Sequence, residues 1–96
     1  MISSVPNHGE RIDIDGRASL QLSTFLNDVA GIYGLVNQPT EDELIFVDGK
    51  AELGLVTFLQ DAAVLANLTE PSEGEIIIED GIASGVFQDF LDQLAV

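Results

Sequence analysis

The sequence predicts an α/β fold built from three tandem strand–turn–helix repeats of 33, 32 and 26 residues. Three observations carry this. The stretches beginning at Pro6, Pro39 and Pro71 align without a gap over Pro6–Ala30, Pro39–Ala63 and Pro71–Ala95. Each places Asp-Gly at the same point: Asp15-Gly16, Asp48-Gly49 and Asp80-Gly81. In each, the apolar spacing changes after that dipeptide from two residues to about 3.6. Self-similarity at such a period marks a modular architecture. Units below roughly 40 residues rarely fold alone, so the three must bury their apolar faces against one another or against another chain.

Residues 1–5 form an N-terminal arm without periodicity, expected to reach onto a neighbour or fray. The single domain then spans 6–96, as units 6–38, 39–70 and 71–96. Proline opens each unit because it cannot continue a helix arriving from the unit before. Arg11-Ile12-Asp13-Ile14-Asp15 alternates as a half-buried strand does, while Leu44-Ile45-Phe46-Val47 and Ile76-Ile77-Ile78 are apolar throughout. Asp-Gly ends each strand, glycine supplying positive φ and aspartate a carboxylate for nearby backbone N–H groups.

Helices follow. Leu22, Phe25, Leu26, Val29 and Tyr33 share one helical face, as do Leu55, Phe58, Leu59, Ala62 and Ala66, and Phe87, Phe90, Leu91 and Leu94. Ser19 and Ser84 stand at N-cap positions, where the second unit has Glu52. Gly31 and Gly34 are candidates to end the first helix, and the end of the third is expected to need a partner or fray. The expected core is Ile12, Phe25, Leu26 with Ile45, Phe58, Leu59 and Ile77, Phe90, Leu91. A helix of this length returns the chain to the edge where the strand began. That predicts either a small parallel sheet with right-handed crossover helices, or closure around a pseudo-threefold axis.

Composition narrows function. Seventeen acidic residues against Arg11, Arg17 and Lys50 give a net charge of −14. Direct binding to nucleic acid or an anionic membrane is disfavoured, since both require Lys and Arg to displace counterions. Without Cys there is no disulfide or thiolate metal site. Met-Ile-Ser-Ser-Val-Pro lacks the regions of a signal peptide, so a chain made in the cytoplasm and not secreted by that route is expected.

An EF-hand aligned on Gly16 would need acids where Arg11 and Leu22 stand, and that reading fails. If the units close around a threefold axis, Glu10, Glu43 and Glu75, or Asp15, Asp48 and Asp80, would form a carboxylate ring able to hold Ca²⁺ or Mg²⁺. The simpler reading is preferred: Asp makes the turn and Glu lies on a solvated strand edge. The lone His8 reads as exposed. No nucleophile–base pair or phosphate loop stands out, so the chain is read as non-enzymatic and without a cofactor. Tyr33, Leu35, Val36, Leu68 and the arm are the candidate partner contacts.

Val5-Pro6-Asn7, Arg11-Ile12-Asp13, Asp15-Gly16-Arg17-Ala18-Ser19 and Phe25-Leu26 together resemble a short unit of tailed-bacteriophage virion proteins, especially the N-terminal regions of tail-fibre-type proteins. The resemblance is closest over Val5 to Val29 and weaker in the third unit, where Ile82 replaces the basic residue. It implies a structural or assembly role in a virion, as a tail, fibre-attachment or surface component docked to other virion proteins in a homo- or hetero-oligomer. It implies no catalytic residues. The rival expectation is a small acidic cation-binding or regulatory module in the host cytoplasm.

Overall fold

The computed structural model describes residues 2–40, 42–71 and 74–95. Each unit is a two-stranded antiparallel hairpin followed by a helix. The first holds β1 (Asp13–Ile14), β2 (Arg17–Ala18) and α1 (Leu20–Tyr33). The second holds β3 (Phe46–Val47), β4 (Lys50–Ala51) and α2 (Leu53–Ala66), and the third β5 (Ile78–Glu79), β6 (Ile82–Ala83) and α3 (Gly85–Leu94). The expected parallel sheet with crossover helices is therefore wrong: the strands pair antiparallel, as three separate two-stranded sheets.

The cause is the turn. Asp15, Asp48 and Asp80 have φ of 54°, 52° and 55°, and the glycines after them 84°, 79° and 81°. Positive φ at both central residues is the signature of the tight hairpin turn whose twist matches that of its strands. The chain thus reverses within two residues and forms a second strand before any helix begins. Ile12, Ile45 and Ile77 carbonyls accept the N–H groups of Ser19, Glu52 and Ser84 at 2.9, 2.8 and 2.8 Å, extending each hairpin to the helix N-cap.

Those three residues do cap. Ser19 Oγ accepts from Leu22 N at 3.2 Å, Glu52 Oε1 from Gly54 N at 3.3 Å and Ser84 Oγ from Phe87 N at 3.5 Å. At the far end Gly34 terminates α1 and Asn67 terminates α2, both left-handed. Glycine adopts that conformation freely, and asparagine tolerates it best among other residues.

The units join head to tail through one repeated contact. The Gly16 carbonyl accepts N–H groups from Ile45 and Phe46 at 2.8 and 3.0 Å. Gly49 does the same for Ile77 and Ile78 at 2.8 and 3.0 Å, and Gly81 for Ile12 and Asp13 at 2.8 and 3.1 Å. The last contact returns to the first unit. A linear row would leave Gly81 and Ile12 at opposite free edges, so these bonds close a ring. Its interior is lined by the same positions in turn: Ile12/Ile45/Ile77, Leu22/Leu55/Phe87, Phe25/Phe58/Phe90 and Leu26/Leu59/Leu91, all buried.

The arm completes the ring at the helix ends. Leu35 and Leu68 donate their N–H groups to Ala30 and Ala63 at 2.9 and 2.8 Å, five residues back. On α3 the same acceptor, the Ala95 carbonyl, is filled at 2.7 Å by Ile2. Ile2 is buried, as Pro6 is. The buried Gln88 amide spans the same junction, donating to the Pro6 carbonyl at 3.1 Å. The first and third units, which no linker joins, are thereby held by the arm.

Two outcomes follow. Alanine at Gly49 would place Cβ 2.8 Å from the Ile78 carbonyl, whereas at Gly34, also at positive φ, it would meet nothing within 4 Å. Gly34→Ala should lose about 1 kcal/mol, the backbone cost alone, and Gly49→Ala more than about 2 kcal/mol, read from urea unfolding midpoints. A circular permutant joining Ala95 to Ile2 through four residues, which restores the five-residue spacing seen at Leu35 and Leu68, should fold with new ends opened between Val36 and Asn37. Loss of the cooperative thermal transition would contradict the ring.

Candidate docking surface on the hairpin ring

Side chains alternate across a strand, so each hairpin has an inner and an outer face. Phe46 and Ile78 are buried and Asp13 half-buried, opposite Ala51, Ala83 and Ala18. The other face carries Ile14 opposite Arg17, Val47 opposite Lys50 and Glu79 opposite Ile82. Single antiparallel bridges carry each row into the next unit: Arg17 to Leu44, Lys50 to Ile76 and, across the ring closure, Ile82 to Arg11.

Three outward cross-strand rows result: Ile14–Arg17–Leu44, Val47–Lys50–Ile76 and Glu79–Ile82–Arg11. Each has one cation, and together these are all the Lys and Arg in the chain. In the third row the cation has exchanged sides, Ile82 standing where Arg17 and Lys50 stand and Arg11 where Leu44 and Ile76 stand. None of the three ion-pairs with a carboxylate among the described residues. Arg17 instead donates from Nε to the Asp42 carbonyl at 2.9 Å and from Nη1 to the Asp15 carbonyl at 3.4 Å.

The first two rows are flanked by apolar surface. Ile14, Leu44, Val47 and Ile76 are 44–50% exposed, and Leu20 and Leu53, opening α1 and α2, are 77% and 69% exposed. An open groove of about 370 Å³ runs between Ile14, Arg17, Leu20 and Asp42. In the third unit the matching positions are Glu79 and Gly85, and the apolar strip stops there.

Other expected site residues serve the fold. Glu10 Oε1 accepts from Asn7 N at 2.8 Å, and Glu43 Oε1 from Thr40 N at 3.0 Å and Thr40 Oγ1 at 3.3 Å, locking the turns after Pro6 and Pro39. Among the described residues no three His, Cys, Asp or Glu side chains converge as a metal site requires. Asp15, Asp48 and Asp80 supply turn geometry. Tyr33, Leu35 and Leu68 pack part-buried against the core, leaving Val36, 97% exposed, as the open member of the four. His8 is exposed and bonds through Nε2 to Asp92 Oδ2 at 2.8 Å, across the junction of the first and third units.

The outer rows went unread in the sequence because their signal lies in pairing. Arg17 and Leu44 are 27 positions apart, and only the hairpin turn and ring closure bring them together. The cue was the exchange of Arg11 with Ile82, visible once units are aligned.

With 14 uncompensated negative charges, the midpoint of thermal unfolding should rise with NaCl, which screens exposed charges beyond roughly 8 Å at physiological strength. Calcium at matched ionic strength should raise it no further, because Glu10 and Glu43 already accept backbone N–H groups. A larger calcium shift in differential scanning calorimetry would restore the carboxylate-ring reading. No helix among the described residues is long and apolar enough to cross a membrane. No protein-family model, curated protein or solved structure matches the chain.

Proposed function

We propose that the chain is a non-enzymatic structural and assembly component of a tailed-bacteriophage particle, a docking scaffold in the tail, at a fibre attachment or on the particle surface. The observation that carries this reading is the closed ring of three like units, each offering an outward row of aliphatic and cationic side chains. A chain that repeats one unit three times around a ring displays by itself what a single-unit protein displays by trimerising. Fibre-type partners of threefold symmetry meet such a ring in matching register.

The unit that resembles tail-fibre N-terminal regions, Val5 to Val29, supports the same assignment, since it contains the first hairpin and most of α1. The partners are other virion proteins, and the docking chemistry is aliphatic contact with carboxylates set against Arg11, Arg17 and Lys50. The cytoplasmic cation-binding alternative has no comparable observation in its favour, because Glu10 and Glu43 are engaged by backbone donors.

Mass spectrometry of purified particles tests the assignment. The chain should appear at a fixed stoichiometry relative to the other tail proteins. Its absence from particles, with the protein abundant in the infected-cell lysate, rejects the virion role.

A further inference from the structure

We infer that the outward strip of the first two units is a self-association surface, and that its occupant is the same strip on a second copy of this chain. This goes beyond the particle assignment and stands or falls without it. The strip comprises Ile14, Leu20, Leu44, Val47, Leu53 and Ile76, with Arg17 and Lys50 set among them.

Charge decides the occupant. Away from the hairpin rows the chain carries no Lys or Arg, so a second copy approaching any other surface meets only like charge. The hairpin rows combine cations with acids, and in the strip Asp15 and Asp48 form the turns beside Ile14 and Val47; the third row sets Arg11 with Glu79 and Asp80 but lacks the strip's exposed aliphatic side chains. A twofold contact places one patch against itself, so the patch must be complementary to itself. Arg17 and Lys50 of one copy meeting the turn carboxylates of the other satisfy that condition. Neither cation ion-pairs with a carboxylate among the described residues, Arg17 donating only to backbone carbonyls.

Burial points the same way. Leu20 and Leu53 extend from the first residue of their helices and are mostly exposed, while equivalent Gly85 presents nothing to bury. Apolar side chains clustered about paired charges, with a groove of about 370 Å³ at one end, form a centre that excludes water around the ion pairs. The third unit, with Glu79 and Gly85, lies at the rim.

Sedimentation equilibrium of the full chain tests this. A species of twice the 10.3 kDa chain mass is expected, in reversible equilibrium with the monomer. Leu44→Asp, Ile76→Asp and Lys50→Glu should each raise the dissociation constant by about tenfold or more. Val64→Asp, on the exposed side of α2, should leave it unchanged. Circular dichroism and thermal unfolding of each variant establish that the ring is intact; Lys50→Glu, which removes no apolar side chain, remains decisive if an aspartate variant fails to fold. A chain that stays monomeric at millimolar concentration, a trimer, or a dimer weakened as much by Val64→Asp as by the strip variants would overturn the proposal.

Discussion

The fold depends on a carbonyl that accepts twice. Gly16, Gly49 and Gly81 each end a tight turn with the C=O directed at the next unit, where two consecutive N–H groups bind it. Each bond contributes about 1 kcal/mol net, but leaving a buried backbone donor without a partner costs more. A single unit satisfies neither its own Gly carbonyl nor its leading isoleucine N–H. Three units in a ring satisfy all of them, and the same closure buries the phenylalanines and leucines of the helices. Backbone pairing and apolar burial therefore demand the same arrangement.

Glycine is required there for two reasons that act together. The conformation is left-handed, and the neighbouring unit lies against the α-carbon: a Cβ on Gly16 would come within 3.0 Å of the Phe46 carbonyl, and one on Gly49 within 2.8 Å of the Ile78 carbonyl. The aspartate before it also takes positive φ, which Asp and Asn tolerate better than most residues. The Asp-Gly pair thus specifies a turn and leaves room for the next unit in one step. That is a physical reason for its identity across all three units.

Much of this was legible in the sequence, and the part that was not has a definite cause. Repetition identified the units, the 3.6-residue period identified the helices, and Ser19 and Ser84 marked their starts. The second strand of each hairpin escaped because, unlike the equally short first strand, it does not lie within a longer apolar or alternating run. Arg17-Ala18, Lys50-Ala51 and Ile82-Ala83 are too short to show alternation, so Asp-Gly read as the end of a strand instead of the middle of a hairpin. From that one omission came the parallel crossover. The outward rows were hidden for a related reason, since their members lie in different units and meet only through long-range pairing.

The third row shows which features of the outer face are structural and which are independent of structure. Backbone geometry requires a bridge between adjacent units but not a particular side chain, because bridged side chains point outward. Even so, each bridge pairs one cation with one aliphatic residue, and where Ile82 takes the usual place of the cation, Arg11 supplies it from the opposite strand. Relief of like-charge repulsion from the nearby turns accounts for a cation at each junction, since Asp15, Asp48 and Asp80 stand one in each unit. It does not account for the apolar side chains placed beside them. Leu44, Ile76 and Ile82 stand cross-strand from Arg17, Lys50 and Arg11, which are exposed, and long basic side chains are suited to lying along aliphatic surface. A junction built so closes the ring and still leaves its cation without a carboxylate partner among the described residues.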